Sequence, residues 1–251
     1  YSVSFEVVWG SEACNISWPA DIEAACATEG STVNLSAGDR DKSNEAYDQI
    51  ALSIAAFEDS TNTFSSKFDT GKLTKEEKKG LALFKGKAGC KACHPANGSD
   101  PLFTDFTYDN LGIPVNPENP AFVADADFRD AGLGSFLMNS GYEEEVYEDE
   151  LGKVKVPTLR NVDLRPASGG IKAFGHNGYF KSLEGIVHFY NTRDVKPTCP
   201  DLYTEAEARA ADCWPGPEVA ANVNTDELGD LGLSPAEEAA IVAFLRTLSD
   251  Q

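Results

Sequence analysis

The sequence predicts a mainly α-helical fold with long irregular loops, and three observations lead to this prediction. Two segments begin with a capping-box pattern, Thr74 with Glu77 and Ser234 with Glu237, and a proline occupies the first helical position of the second. Residues 241–248 place apolar side chains on one helical stripe. Alternation of apolar and polar residues, which is typical of strands, is weak along the whole chain.

The other predicted elements follow in order along the chain. After an irregular, cysteine-bearing start, Ser43 caps a helix whose apolar residues keep helical spacing as far as Phe57. Residues 59–73 are rich in Ser, Thr, Asp and Gly and predict a linker. The helix that starts at Thr74 leads towards Cys90.

Further along, residues 95–156 are rich in loops, and the acidic run 143–150 indicates a solvated face or loop. Residues 180–190 predict a short helix. We divide the chain into an N-terminal helical and linker segment, residues 1–72, and a helical domain, residues 73–251.

The composition excludes two classes of partner. The chain has 251 residues and a formal net charge of −20, which disfavours binding to nucleic acid and to anionic membranes.

No apolar stretch approaches the roughly 18 residues that a membrane span requires. The start at Tyr1 has no signal-peptide pattern, so we expect a mature or trimmed product.

The lysines are unevenly placed. Seven of them lie in the twenty residues that lead into one cysteine motif: Lys72, Lys75, Lys78, Lys79, Lys85, Lys87 and Lys91. A solvated helix face explains this cluster most simply. The alternative is a local positive surface that orients an acidic redox partner.

Six cysteines form one Cys-x-x-Cys pair and two other local pairs. The spacing favours disulfide bonds Cys14–Cys26 and Cys199–Cys213, although four cysteines allow three connectivities. Each bond would close a short loop and contribute about 3 kcal/mol by the chain-entropy account. Disulfide bonds indicate an oxidising compartment, the periplasm or the cell exterior.

The segment Cys90-Lys91-Ala92-Cys93-His94 is the pattern of covalent haem c attachment. Two thiols three residues apart in a helical turn can add to both vinyl groups of one porphyrin, and the adjacent imidazole becomes the proximal iron ligand. Zinc is the alternative, but the sequence has no second Cys-x-x-Cys and no paired histidine motif to complete a zinc site. We therefore expect one haem c in a cytochrome c-like domain.

The sixth iron position sets the reduction potential and decides whether an exogenous ligand can bind. The residues alone leave three candidates: Met138, the only methionine, and the two remaining histidines, His176 and His188. Met138 has the spacing of a small cytochrome's ligand, but a methionine beside Phe136 also suits a packing contact. Either histidine could equally be a packed or hydrogen-bonded residue.

Several segments together resemble the bacterial di-haem cytochrome c peroxidases and their relatives, which include enzymes that oxidise tryptophans in a partner protein. The matching stretches occur in order and cover most of the chain: Ala46-Tyr47-Asp48 to Phe57, Leu81-Ala82-Leu83-Phe84 through His94, Tyr108-Asp109-Asn110-Leu111-Gly112, Val156-Pro157-Thr158-Leu159-Arg160-Asn161, His176-Asn177-Gly178 and Ile241-Val242-Ala243-Phe244-Leu245.

Members of that family carry a peroxidatic haem in the N-terminal half and an electron-transfer haem in the C-terminal half. This chain resembles the C-terminal half with its connecting helices, and residues 1–72 resemble the connection to a first half that is missing here. The resemblance implies electron transfer through one haem c, and hydrogen peroxide reduction only together with a second, peroxidatic haem. The implied partner is a small cytochrome, a cupredoxin-like protein or a second haem domain.

The resemblance also implies ligands. In the family, the distal ligand follows the His of the His-x-Gly motif by fourteen residues, as Met in the peroxidases and as Tyr in the tryptophan-oxidising branch. Counting from His176 gives Tyr190, which implies His94/Tyr190 ligation with Met138 as the alternative. A buried phenol with a hydrogen-bonded hydroxyl is the other interpretation of Tyr190. Arg160 lies where the family has a Leu-Arg-Asn stretch, and it either pairs with a haem propionate or forms a structural salt bridge.

Calcium is the last implied cofactor. Family members bind Ca²⁺ between the two halves, partly through backbone carbonyls of a Thr-Ala-Pro-Tyr stretch before the His-x-Gly motif. Here the stretch reads Ile171-Lys172-Ala173-Phe174, which does not favour calcium.

Two functions follow as hypotheses. The chain is the electron-transfer half of a di-haem peroxidase-like enzyme, or it is a stand-alone mono-haem electron carrier. A subunit of a larger multi-haem assembly without peroxidase activity is a third arrangement, which no residue singles out.

Overall fold

The computed structural model describes residues 1–28, 31–61, 64–164 and 172–250. The chain divides into two compact units, Tyr1–Thr63 and Phe64–Gln251. Both units are built mainly from α-helices, which confirms the predicted fold class. The domain boundary placed after residue 72 stays a prediction. None of the described helices is both long and apolar enough to span a membrane.

The described residues of the first unit form the helices α1 (Ser2–Trp9), α2 (Ile22–Ala27) and α3 (Ala37–Thr61). The prediction of an irregular start was therefore wrong, because two short helices form there. The predicted start of α3 at Ser43 was also wrong: the helix begins six residues earlier, and the hydroxyl of Ser36 accepts a hydrogen bond from the amide of Asp39 at 3.1 Å.

The second unit carries the remaining described elements. Its α-helices are α4 (Lys75–Lys85), α5 (Pro120–Ala124), α6 (Gly132–Asn139), α7 (Glu144–Tyr147), α8 (Leu183–Thr192), α9 (Glu205–Ala210) and α10 (Pro235–Leu245). Single 3₁₀ turns cover Glu148–Glu150 and Arg246–Leu248. The strands β1 (Tyr108–Asp109) and β2 (Val154–Lys155) pair antiparallel, with Tyr108 opposite Lys155.

Both predicted capping boxes are confirmed. At the start of α4, the Thr74 hydroxyl accepts from the Glu77 amide, and the Glu77 carboxylate accepts from the Thr74 amide at 2.6 Å. At the start of α10, the Glu237 carboxylate accepts from the Ser234 amide at 2.8 Å. These bonds satisfy amides that a helix start leaves without partners.

Helices α4 and α10 cross in close contact at Gly80. A Cβ atom on Gly80 would lie 1.9 Å from the backbone oxygen of Ala240 and 2.8 Å from the Cβ of Phe244. Only a residue without a side chain allows the two backbones to approach this closely. The sequence offers no local sign of this requirement, since glycine is otherwise unfavourable inside a helix.

Two apolar clusters form the core of the second unit. The first is centred on phenylalanine rings in edge-to-face and tilted contact, with centroids 5.2–6.2 Å apart: Phe68, Phe84, Phe103 and Phe244. It includes the C-terminal stripe, because Ile241, Phe244, Leu245 and Leu248 are all buried. Such ring geometries add to the hydrophobic stabilisation.

The second cluster surrounds the disulfide bond. Tyr179, Phe180, Phe189 and Trp214 pack next to Cys199 and Cys213. The predicted Cys199–Cys213 bond is thus confirmed. Cys14 and Cys26 are unpaired and exposed, so the structure does not form the other expected bond.

The predicted linker 59–73 is only partly a linker. Residues 59–61 belong to α3, whereas the residues after 63 pack on the second unit. Ser66 is fully buried, and its hydroxyl donates to the carboxylate of Asp69 at 2.5 Å. Polar residues such as Ser66 and Asp69, which indicated a linker, instead form buried hydrogen bonds.

The crossing of α4 and α10 can be tested by Gly80→Ala. Since the added Cβ collides with backbone rather than with a flexible side chain, we expect a loss of unfolding free energy of about 2 kcal/mol or more. Gly216→Ala is the matched control, because nothing lies within 4 Å of its Cβ position. Urea unfolding of both variants measures the difference, and equal stability of the two would contradict the close crossing.

Candidate haem site

The Cys90–His94 motif lies at the wall of a cavity of about 510 Å³. It follows α4 directly and folds as a helical turn, in which the His94 amide donates to the Cys90 carbonyl at 2.9 Å. The turn puts both thiols and the imidazole among the lining residues of the same cavity. This size is within the range of about 300–1,000 Å³ that is usual for small-molecule and cofactor sites.

His94 is held in the orientation that a proximal ligand needs. Its Nδ1 lies 2.7 Å from the carbonyl oxygen of Phe103, so the ring donates through Nδ1 and leaves Nε2 free. Phe103 has φ 55°, a left-handed conformation that is rare for a bulky residue, and its ring is fully buried in the phenylalanine cluster. Burial lowers the pKa of His94, which keeps the imidazole neutral and able to bind a metal.

The two thiols are protonated. Burial raises the pKa of Cys90 to about 12. Burial, together with the nearby carboxylates of Glu227 and Asp109, raises the pKa of Cys93 to about 12 as well. Catalytic and redox-sensing cysteines have lowered pKa values, so these two thiols do not fit nucleophilic catalysis.

Tyr190 lines the same cavity as His94. It belongs to a stripe on α8 at helical spacing, Leu183, Ile186, Val187 and Tyr190, and all four residues line the cavity. Within the described residues, the Tyr190 hydroxyl has no hydrogen-bond partner. Burial raises the pKa of the Tyr190 phenol, and the neighbouring Cys90 and Cys93 raise it further. The hydroxyl is therefore neutral in the absence of a metal.

His176 also lines the cavity, with a side chain that is 15% exposed. Its Nε2 lies 2.8 Å from a carboxylate oxygen of Glu218, which is 4% exposed. The same oxygen accepts from the Asn177 amide group at 2.8 Å, and the other accepts from the Asp130 backbone amide at 3.2 Å. Burial would raise the pKa of Glu218, but these three hydrogen bonds outweigh it and lower the pKa.

Glu218 is a site residue that the sequence did not reveal. It is 42 positions from His176 and belongs to no recognisable local pattern. Phe103 was missed in the same way, since its contribution to the site is a backbone carbonyl. Phe103 is only nine residues from His94, but a backbone carbonyl can belong to any residue type, whereas Glu218 is distant from His176 along the chain. A single sequence carries no signal for either pairing.

Arg160 lies outside the cavity lining. Its guanidinium forms an ion pair with Asp69, with both carboxylate oxygens 2.8 Å from Nη1, and Nε donates to the Pro101 carbonyl at 2.8 Å. The ring of Phe64 lies 3.9 Å from its central carbon. One nitrogen, Nη2, is buried and has no partner within the described part of the chain. Arg160 therefore forms the structural salt bridge that was one of its two interpretations. Its contact with a haem propionate stays a prediction.

Neither Met138 nor His188 lines the cavity. Met138 lies on α6 and is 47% exposed. His188 lies on α8, but its Nδ1 is hydrogen-bonded to the Glu238 carboxylate at 3.0 Å. Of the candidates for the sixth position, the structure thus brings Tyr190 and His176 to the cavity.

Two carboxylates border the cavity next to Cys93. Asp109 and Glu227 each accept a hydrogen bond from the amide group of Asn224, at 2.6 Å and 2.8 Å. With the Cys93 thiol they form a group whose ligand atoms lie within 4.8 Å of one another. Thioether formation at Cys93 would leave only two carboxylates, which is too few for a dedicated metal site.

The stretch implied for calcium is only partly described, since Ile171 is outside the described residues. Lys172 forms an ion pair with Asp163 and also donates to the Asp163 carbonyl at 2.6 Å. A positively charged side chain therefore belongs to this stretch, and its charge disfavours a cation there. Calcium binding stays a prediction that the sequence already disfavoured.

The residues present fit a covalently bound haem. The walls between the motif and α8 are mostly aliphatic, formed by Leu111, Ile113, Val156, Leu231, Leu233, Ile241 and Leu245 among others. Such walls would exclude water from a porphyrin face, and His94 and Tyr190, which have a ring nitrogen and a phenolic oxygen, line the same cavity.

No protein-family model matches the chain. The methylamine utilization protein MauG of Paracoccus denitrificans is 33% identical over 225 residues, which are 84% of this chain and 54% of MauG. The cytochrome-c peroxidase IdrP2 of Pseudomonas sp. (strain SCT) is 32% identical over 193 residues, 73% of this chain and 42% of IdrP2. The diheme peroxidase BthA of Burkholderia thailandensis has the same fold with a TM-score of 0.58 and 31% identity, covering 76% of this chain and 48% of BthA.

The chain belongs to the di-haem cytochrome c peroxidase family. This confirms the resemblance read from the haem motif and the five other stretches. The chain spans about half the length of the curated relatives it matches. What the complete members of the family do is therefore carried to this chain only as a proposal.

The Glu218 carboxylate, which holds the cavity-lining His176, can be tested by its pH dependence. Its pKa is lowered from 4.5, so its stabilising effect is complete above pH 4.5 and is lost as the pH falls through the lower, folded value. We expect Glu218→Gln to reduce the unfolding free energy by about 1–3 kcal/mol at pH 7, with a smaller difference at pH 3. Urea unfolding at several pH values measures this.

Glu145→Gln is the control for that experiment, because Glu145 is an exposed carboxylate on α7. Its effect should stay within about 0.5 kcal/mol at every pH. Parallel pH profiles of wild type and Glu218→Gln would show that the carboxylate does not stabilise the cavity wall.

Proposed function

We propose that the chain transfers electrons through one haem c, attached to Cys90 and Cys93, with His94 as proximal and Tyr190 as distal ligand. One observation carries the proposal: the four residues line a single cavity of about 510 Å³. Three of them come from one turn after α4, and the fourth comes from the stripe of α8. The bound haem would supply reversible one-electron chemistry.

The geometry at His94 supports its role. A ligating histidine usually donates its second ring N–H to a carbonyl or carboxylate, which fixes the ring and makes the ligating nitrogen more basic. The bond from Nδ1 to the Phe103 carbonyl does this here. The backbone strain at Phe103 supports the same role, because a strained conformation is retained where it positions a functional group.

The surroundings of Tyr190 support ligation rather than packing. A buried phenol normally finds a hydrogen-bond partner. This hydroxyl lines the cavity without one among the described residues, which leaves its oxygen available to a metal ion. Burial opposes loss of the phenolic proton, and the positive charge of ferric iron would have to offset that effect. Phenolate ligation stabilises the ferric state and would lower the reduction potential relative to methionine.

The family relationship supports a role as the electron-transfer half of a di-haem enzyme. The relatives are described as diheme peroxidases and cytochrome-c peroxidases, and this chain corresponds to about half of each. On α3, Tyr47, Ile50 and Ile54 follow helical spacing and are each at least 50% exposed. An apolar stripe of this kind suits contact with a second haem domain. In that arrangement peroxide reduction needs the other haem.

A stand-alone mono-haem electron carrier is the second candidate. The Cys199–Cys213 bond favours it, because a disulfide bond across the second cluster helps an isolated domain to stay folded. This candidate predicts reversible one-electron redox chemistry without peroxide turnover.

The setting proposed for either role is the periplasm or the cell exterior. The disulfide bond and thioether-linked haem both suit an oxidising compartment. The proposed partner is a small cytochrome or a cupredoxin-like protein, or a second haem domain. The net charge of −20 supports a protein partner over nucleic acid.

Haem attachment is tested by expressing the chain together with a cytochrome c maturation system. The intact mass should increase by one haem, and Cys90→Ser/Cys93→Ser should lose that increase. Ser140→Ala, at the end of α6, is the control that should retain it. The same purified protein is assayed with hydrogen peroxide: rapid reduction by this chain alone would exclude the mono-haem carrier, and absence of any attached haem would overturn the proposed function.

Distal ligation is tested by Tyr190→Phe in the haem-loaded protein. We expect altered optical and low-temperature spin-resonance spectra of the ferric form, and a potential higher by on the order of 100 mV, a fraction of the roughly 0.8 V that axial ligands span. Met138→Leu is the control and should leave both unchanged. Unchanged spectra in Tyr190→Phe would refute the ligation, and changed spectra in Met138→Leu would reassign it.

A further inference from the structure

The outward face of α4 carries four lysines together with Ala82. Gly80 marks the inward face, since it contacts Ala240 of α10. At 100° per residue, positions 75, 78, 79 and 85 fall on the opposite side. We call these four residues, Lys75, Lys78, Lys79 and Lys85, the lysine face. Lys75, Lys78 and Lys79 are exposed and Lys85 is half-buried.

The charge of this face differs from that of the rest of the chain. Residues 72–91 contain seven Lys and two acidic residues, Glu76 and Glu77, which gives a net charge of +5. The whole chain has −20, so the remaining residues sum to −25. The segment 72–91, which contains α4, is therefore positive in a chain that is otherwise strongly negative.

The lysine face is not neutralised locally. Glu77 caps α4 and forms its ion pair with Lys67, so its carboxylate does not neutralise the lysine face. Lys87 pairs with Glu237 at 2.8 Å and is excluded from the face for that reason. Throughout the described residues, no ion pair within 4 Å involves the four members of the lysine face.

The face adjoins the proposed haem. Lys85 ends α4 five residues before Cys90, and Lys91 lies exposed inside the motif itself. Ala92 is both exposed and part of the cavity lining. One residue thus separates the solvent from the cavity at this point. A protein bound at the C-terminal end of the lysine face would therefore lie next to an exposed part of the cavity wall.

The remaining charges near the cavity do not reverse this sign at the face. Glu76 is the other acidic residue of α4, and it is exposed. Asp109 and Glu227 line the cavity, where both bind the amide group of Asn224. At physiological ionic strength the screening length is about 8 Å, so an approaching protein senses mainly the charges nearest to it. The lysines then outweigh the distant negative charge of the chain.

We infer that the lysine face is the docking surface for an acidic redox protein that exchanges electrons with the haem. This inference rests on the proposed function and specifies its partner: a small protein with a cluster of Asp and Glu around its own redox centre. Electrostatic complementarity of this kind orients the encounter and raises the association rate. If the net charge of −20 decided the encounter, a basic partner would be favoured instead. Docking on the lysine face therefore predicts faster reaction with an acidic protein, and control by the net charge predicts faster reaction with a basic one.

The test mixes the haem-loaded chain, reduced beforehand, with two oxidised acceptor proteins of opposite charge, an acidic plastocyanin and a basic cytochrome c. Stopped-flow mixing at 0.1 M and 0.5 M salt gives the bimolecular rate constant of electron transfer. The test variant is Lys75→Gln/Lys78→Gln/Lys79→Gln. The control, Lys42→Gln/Lys153→Gln/Lys181→Gln, changes the net charge equally at sites outside the face.

With plastocyanin at 0.1 M salt, we expect the rate constant of the test variant to fall about tenfold and that of the control to stay within about twofold. At 0.5 M salt, wild type and variant should converge, because the charges are screened. With cytochrome c, the test variant should show no decrease. Equal effects of the two triple variants, or a wild type that prefers cytochrome c at 0.1 M salt, would overturn the docking surface.

A binding measurement separates this inference from the proposed function. Chemical-shift changes of ¹⁵N-labelled plastocyanin on addition of the chain report docking whether or not electrons are transferred. Shifts that the test variant abolishes, without any electron transfer, would retain the docking surface and refute the function. Electron transfer that neither triple variant alters would retain the function and refute the docking surface.

Discussion

The close crossing of α4 and α10 at Gly80 is the constraint on which the second unit depends. Because no side chain separates the backbones there, Phe84 and Phe244 from the two helices pack directly against Phe103. That packing fixes the carbonyl of Phe103, which accepts the hydrogen bond from His94. The same crossing therefore places both the end of the helix that leads into the Cys90–His94 motif and the carbonyl that orients the His94 imidazole.

The haem site and the hydrophobic core are built from the same residues. On α8, the stripe that packs against the first cluster, Leu183 and Val187, is also the stripe that directs Tyr190 into the cavity. On α10, Ile241 and Leu245 have the same double role. Helix register thus determines packing and ligand placement together, and a shift of one residue in α8 would disturb both.

Much of this arrangement follows from local patterns. The capping boxes depend on neighbours along the chain, and the structure confirms them. The Cys90–His94 motif is also a local pattern, whereas Tyr190 was implied only by the family resemblance; both line the same cavity. Features that depend on distant partners were not predicted. Glu218 meets His176 only in the folded chain, and the polar segment after residue 63 could not be distinguished from a linker without its buried partners.

The cavity has a consequence for the life of the protein in the cell. A space of about 510 Å³ between the two clusters means that a chain without its prosthetic group lacks the centre of its own core. Native interiors are normally packed at the density of organic crystals, and marginal folds are removed by proteases. If the proposed haem c fills this space, its supply would set the abundance of the protein as well as its redox competence, since chains that miss attachment would be degraded before they accumulate.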